Sequence, residues 1–171
     1  CYENLEHWLG AKKSAAHWAS YLVHEGHVDA ERSVQIGLRG NTRTLGWLDI
    51  SRRLGYEVID IDRYHELGPD KCIEIIKRRI GDSPVYVTFD LDCLDPTVAP
   101  AVSNLEAGIE GFRINEAVRL VRSLRGLDII GGDVVCLMPT KDSPNNITAM
   151  VAAAVMFEMV AMISERVGAK R

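Results

Sequence analysis

The sequence predicts an α/β fold, a mainly parallel sheet flanked by helices, and three observations carry that reading. Short apolar, β-branched runs alternate along the chain with longer segments of helical periodicity. Gly55 and Gly81 each close a helical segment just ahead of the next apolar run. A length of 171 residues with 47% apolar content is enough for one domain with a sizeable core.

Taken in order, Ala15 to Glu25 reads as a helix and Ser33 to Leu38 as a strand. Leu45 to Leu54 is helical and ends at Gly55, Tyr56 to Ile61 is a strand, and Asp70 to Ile80 is a helix ended by Gly81. A buried strand beginning at Val85 delivers Asp90 at its end, and a long loop runs from there to Gly111. A helix from Asn115 to Leu124, a strand from Leu127 to Leu137 and a last helix to about Val167, with Asn145 placed to cap it, complete the chain. The sum is four strands and five helices without repeat or linker. Ligands of such sheets lie outside the carboxyl ends of the strands. The loops at 39–41, 60–62, 90–106 and 139–142 therefore form the rim where chemistry is expected.

A net charge of −4 gives no electrostatic reason to expect nucleic acid. No uninterrupted apolar stretch reaches the ~18 residues of a membrane span, and Asn146 to Val160 reads as a buried helix, so no membrane partner is expected. Cys1, Cys72, Cys93 and Cys136 are scattered without a CxxC or secretory spacing, which fits reduced thiols and a cytoplasmic location. The start at Cys1-Tyr2-Glu3 is neither a signal peptide nor an initiator methionine, so further chain is expected upstream.

The segment Val85-Tyr86-Val87-Thr88-Phe89-Asp90-Leu91-Asp92-Cys93-Leu94-Asp95-Pro96 concentrates the chemistry. Side chains alternate along a strand, so Asp90 and Asp92 face the same side where the strand leaves the sheet. Two carboxylates that close repel, and a divalent cation is the usual remedy. Turn formation is the competing reading, since Asp95-Pro96 is also good turn chemistry.

Phe89 to Pro96, followed by Ala99-Pro100 and Glu106-Ala107-Gly108, resembles the ureohydrolase family in its agmatinase-like branch. Ser33 to Gly40, Leu54 to Ile59 and Gly131-Gly132-Asp133-Val134-Val135 extend the resemblance over essentially the whole chain. It implies a three-layer fold of the arginase type and a pair of divalent metal ions, commonly manganese and in some members nickel. Those ions activate water for attack on a guanidinium carbon, releasing urea. Carried over, Asp90 and Asp92 are metal ligands, with Asp90 the bridging one, and Asp95 is a catalytic support that turns the loop. His17 lies near the position of a proton-shuttling histidine in the family, with His7 as a substitute and a structural histidine on a helix as the plain alternative. The family's remaining ligands, a lone histidine and an Asp-x-His-x-Asp stretch, do not occur in these residues and are expected upstream of Cys1. The chain then reads as the C-terminal portion of a single ureohydrolase domain.

Departures from the pattern concern the substrate. Cys136 stands where most members carry a glutamate that pairs with the guanidinium, and a thiol cannot make that bidentate contact. The alternative is a small buried strand residue. The lining run Val102-Ser103-Asn104-Leu105 differs from the expected one, whereas Glu106 matches. Glu106, Cys136 and Asn104 are thus the expected substrate-binding residues, and Lys141 or Asp142 could define a different pocket. The substrate is then not standard arginine or agmatine but free guanidine, a guanidino acid or a biguanide. The competing function is an inactive ureohydrolase-fold subunit that stabilises an active partner. Deacetylase chemistry on a related fold lacks this acid–proline motif. The resemblance also implies a trimer or hexamer, with a hetero-oligomer as the variant. Met150, Met156, Met159 and Met162 read as core packing of the last helix.

Overall fold

The computed structural model describes residues 14–40, 46–106, 108 and 110–169; Cys1, His7 and Asn41 lie outside them. The elements follow the expected alternation: α1 (Trp18–His24), β1 (Val34–Leu38), α2 (Trp47–Arg53), β2 (Glu57–Asp60), α3 (Ile61–Leu67), α4 (Pro69–Ile80), β3 (Val85–Asp90), α5 (Ile114–Ser123), β4 (Ile129–Val135) and α6 (Ile147–Ala169). Short 3-10 turns at Ala30–Arg32, Leu91–Cys93 and Pro139–Lys141 link them.

α3 is the helix the sequence did not announce. The sequence places a rim loop at its start, but the Asp60 carboxylate accepts from Arg63 N at 2.9 Å and caps a helix there. Gly68, at φ 77°, then separates α3 from α4, which begins on Pro69.

Both strand pairings are parallel, as expected, but they form two ladders. β1 pairs with β2 from Val34 opposite Glu57 to Leu38 opposite Asp60, and β3 with β4 from Val85 opposite Ile129 to Asp90 opposite Val135. Among the described residues the two ladders are not hydrogen-bonded to each other, and the mainly parallel, helix-flanked arrangement is the one expected. Strand–helix alternation specifies parallel crossovers, not which strands become neighbours. One apolar core nonetheless spans both pairs, joining Ile59, Phe89, Leu91, Leu94, Phe112 and Ile129. One close approach is at Gly37, where β1 slips register at φ 78° and a Cβ would stand 2.1 Å from the Phe112 ring. Tyr64 meets the same ring edge-on at 4.7 Å between centroids.

β3 is not buried on both faces. Phe89 is in the core, whereas Tyr86 (59% exposed), Thr88 and Asp90 share an open face, the period-two pattern of a half-covered strand.

α6 packs through Val151, Val155, Met159 and Met162 into the core. Met150 and Met156 instead join Phe157 and Val160 on the exposed side, with Phe157 71% exposed, so half of the methionine set is not core packing. By length and composition alone, Ile147–Gly168 suffices to cross a membrane. The acid that interrupts the run, Glu158, accepts from Arg122 of α5 at 2.6 Å and leaves the helix unbroken.

The cap of α6 is Asp142, not Asn145. Its carboxylate accepts from Thr148 N at 3.1 Å and Ala149 N at 2.9 Å, while Asn145 Oδ1 accepts from Ser143 Oγ. Burial works to raise the Asp142 carboxyl, but the N–H groups of Ala149, Thr148 and Ser143 outweigh it and hold it below the usual range. An acid held low when folded adds stability that is complete above its unfolded value, about 3.9, and is lost as pH falls through its folded value. Asp142→Ala is therefore expected to melt below the wild type near neutral pH, with the gap closing under acid; thermal melts across pH check this.

Candidate metal site

Each carboxylate is placed by the abrupt end of β3. The strand stops at Asp90, whose side chain accepts from Asp92 N at 2.9 Å and caps the 3-10 turn Leu91–Cys93. That turn swings Asp92 back beside Asp90. From the neighbouring strand comes Cys136, one residue past β4, in a left-handed conformation at φ 69°. Ligand atoms of Asp90, Asp92 and Cys136 all lie within 4.8 Å of one another.

Asp92 is held by one oxygen and left wanting at the other. Oδ2 accepts from Ser103 Oγ at 3.2 Å, Asn104 N at 3.2 Å and Asn104 Nδ2 at 3.1 Å. Oδ1 is buried with no hydrogen-bond partner among the described residues. A buried acceptor without a donor is costly, and here a second carboxylate stands beside it. Burial, then the charge of Asp90, push the Asp92 carboxyl above the usual range despite the donors on Oδ2. A divalent cation at this place satisfies the orphan oxygen and cancels the repulsion, so the residues fit the metal that the sequence implied.

Around this pair the loop is pinned by a residue that sequence reading did not single out. Arg39, just beyond β1, donates from Nε to Asp92 O at 2.8 Å, from Nη1 to Glu106 O at 3.0 Å, and from Nη2 to Leu94 O and Leu105 O at 2.9 Å each. One guanidinium thus gathers both ends of the loop. The available signal was an arginine at a strand's carboxyl end, but its targets are main-chain carbonyls, which leave no mark in sequence.

Asp95 turns the loop as expected and stands apart from the donor group. Its Oδ1 accepts from Thr97 N at 2.9 Å and Thr97 Oγ1 at 2.5 Å, and these bonds hold its carboxyl below the usual range. Gly111 lies so close that a Cβ there would sit 2.5 Å from Asp95 N. Asn104, expected to line the pocket, spends its backbone N–H and amide on Asp92. Glu106 adopts φ 47° and lays its carboxylate against Gly40, where a Cβ would be 2.7 Å from Oε2. Burial raises the Cys136 thiol to about 12. His17 is fully buried at the start of α1, near Ser14 Oγ (3.3 Å) and edge-on to Tyr21, and is not in the donor group. His24, His27 and His65 are exposed.

A crevice lined by Arg122, Arg125, Glu158, Ala161 and Met162 includes none of these groups. Its arginines are already paired, Arg122 with Glu158 and Arg125 with Glu165, which leaves it no evident chemistry.

A family model described as the arginase family matches residues 4–162. Guanidinopropionase of Pseudomonas aeruginosa is 39% identical over 143 residues, covering 84% of this chain and 44% of that protein. Agmatinase of Enterobacter sp. is 39% identical over 136 residues, covering 80% of this chain and 41% of that protein. In structure, proclavaminate amidino hydrolase from Streptomyces clavuligerus superposes with a TM-score of 0.78 at 30% identity, covering 86% of this chain and 47% of that one. The chain spans less than half the length of the relatives it matches.

Proposed function

The chain belongs to the arginase family, and from that premise we propose that Asp90 and Asp92 hold divalent metal for the hydrolysis of a guanidino compound to urea and an amine. The observation that carries the proposal is the buried, unpartnered Oδ1 of Asp92 beside a second carboxylate. Two ions are proposed, manganese first and nickel as the alternative. Bound ions of this kind supply a nucleophile from water at neutral pH and neutralise developing charge.

The chain's own residues orient and hold. Ser103 and Asn104 fix Asp92, Asp95 and Thr97 set the turn, and Arg39 ties the loop to β1. Cys136 offers no carboxylate to a guanidinium, which disfavours arginine and agmatine and favours free guanidine, a biguanide or a guanidino acid. The guanidinopropionase relative makes a guanidino acid the first to test.

The test is urea release from a panel of these compounds with manganese or nickel added. Metal-dependent urea from one of them supports the reading. No urea from any, with metal retained, favours an inactive partner subunit instead.

A further inference from the structure

We propose that the Cys136 sulfur is itself a metal ligand, so that Asp90, Asp92 and Cys136 form an O,O,S donor set that favours zinc, cobalt and nickel over manganese. The inference rests on the reading that these carboxylates bind divalent metal, and it assigns Cys136 to the metal rather than to the substrate.

Asp90 lies opposite Val135 in the β3–β4 register, so regular alternation would send the next side chain, Cys136, to the opposite face. The left-handed backbone of Cys136 breaks that alternation. A non-glycine residue rarely adopts this conformation, and such positions cluster at functional sites. The result is a thiol whose sulfur lies within 4.8 Å of ligand oxygens of both acids. Independently, the buried Oδ1 of Asp92 lacks a donor among the described residues, as expected of an oxygen whose partner is an ion.

Chemistry then sets the preference. Carboxylates alone suit hard ions such as manganese, whereas a thiolate adds a soft donor that binds zinc, cobalt and nickel more tightly. Ligation replaces the S–H bond with an S–metal bond and releases one proton to solvent, with no change of oxidation state. Cys72, Cys93 and Cys136 are not in disulfides, so the sulfur is in the required reduced form.

The test is X-ray absorption on the full chain loaded with zinc, paired with optical spectra of the cobalt-loaded protein. The expected result is one sulfur neighbour at about 2.3 Å among lighter ligands, and a near-ultraviolet sulfur-to-cobalt band. Both signals should vanish in Cys136→Ser, whose zinc affinity falls roughly 10- to 100-fold while manganese affinity changes little. A wild-type zinc shell of oxygen and nitrogen alone overturns the sulfur ligand and leaves the proposed function standing. So does a sulfur shell that persists in Cys136→Ser. If the wild type retains none of zinc, cobalt or manganese, both readings fall. Should Cys136→Ser not fold, the wild-type zinc shell decides.

Discussion

Asp92→Ala is expected to strip the protein of bound metal and to lower urea formation by roughly three orders of magnitude. That loss corresponds to the several kcal/mol a metal centre contributes to charge stabilisation. The fold should hold or even gain, because the variant removes a buried oxygen that has no donor and a charge that repels Asp90. That opposition separates a ligand from a structural acid. If Asp92 served only to shape the turn, its loss would lower stability through Ser103 and Asn104 and leave metal content unchanged. Elemental analysis after dialysis, run beside a denaturation curve, reads both quantities.

Arg39→Ala is expected to cost about 3 kcal/mol of stability, since several charge-assisted bonds to carbonyls are lost while water replaces some of them. It should also weaken metal binding, because Arg39 grips the main chain of Asp92 itself. Arg39→Lys should restore little. A compact ammonium cannot span carbonyls of Asp92, Leu94, Leu105 and Glu106 as a planar guanidinium does. Chemical denaturation midpoints for the three proteins check the first claim, and metal titration checks the second.

Much of this arrangement was legible in the residues. The β3 motif announced its carboxylates because an apolar strand that ends in alternating acids has few other uses for them. Gly55 and Gly81, both at positive φ, mark helix ends where the sequence placed them. What stayed hidden shares one cause, the dependence on partners distant in sequence. Asp60 and Asp142 read as rim acids, yet each is used to cap a helix, one of them too short to register by periodicity. Met150 and Met159 look alike in composition, and helix rotation alone sends one outward and the other into the core. The division into two ladders follows from which strands meet, which alternation does not encode.

Whether Asp90 and Asp92 bind metal is decided by anomalous diffraction at the manganese edge, from crystals of the full chain grown with manganese. The expected result is a peak in ligand contact with the carboxylates of Asp90 and Asp92, absent in Asp92→Ala. A well-ordered pair of carboxylates with no peak at saturating manganese, or Asp92 Oδ1 bonded to a protein donor instead, would contradict it.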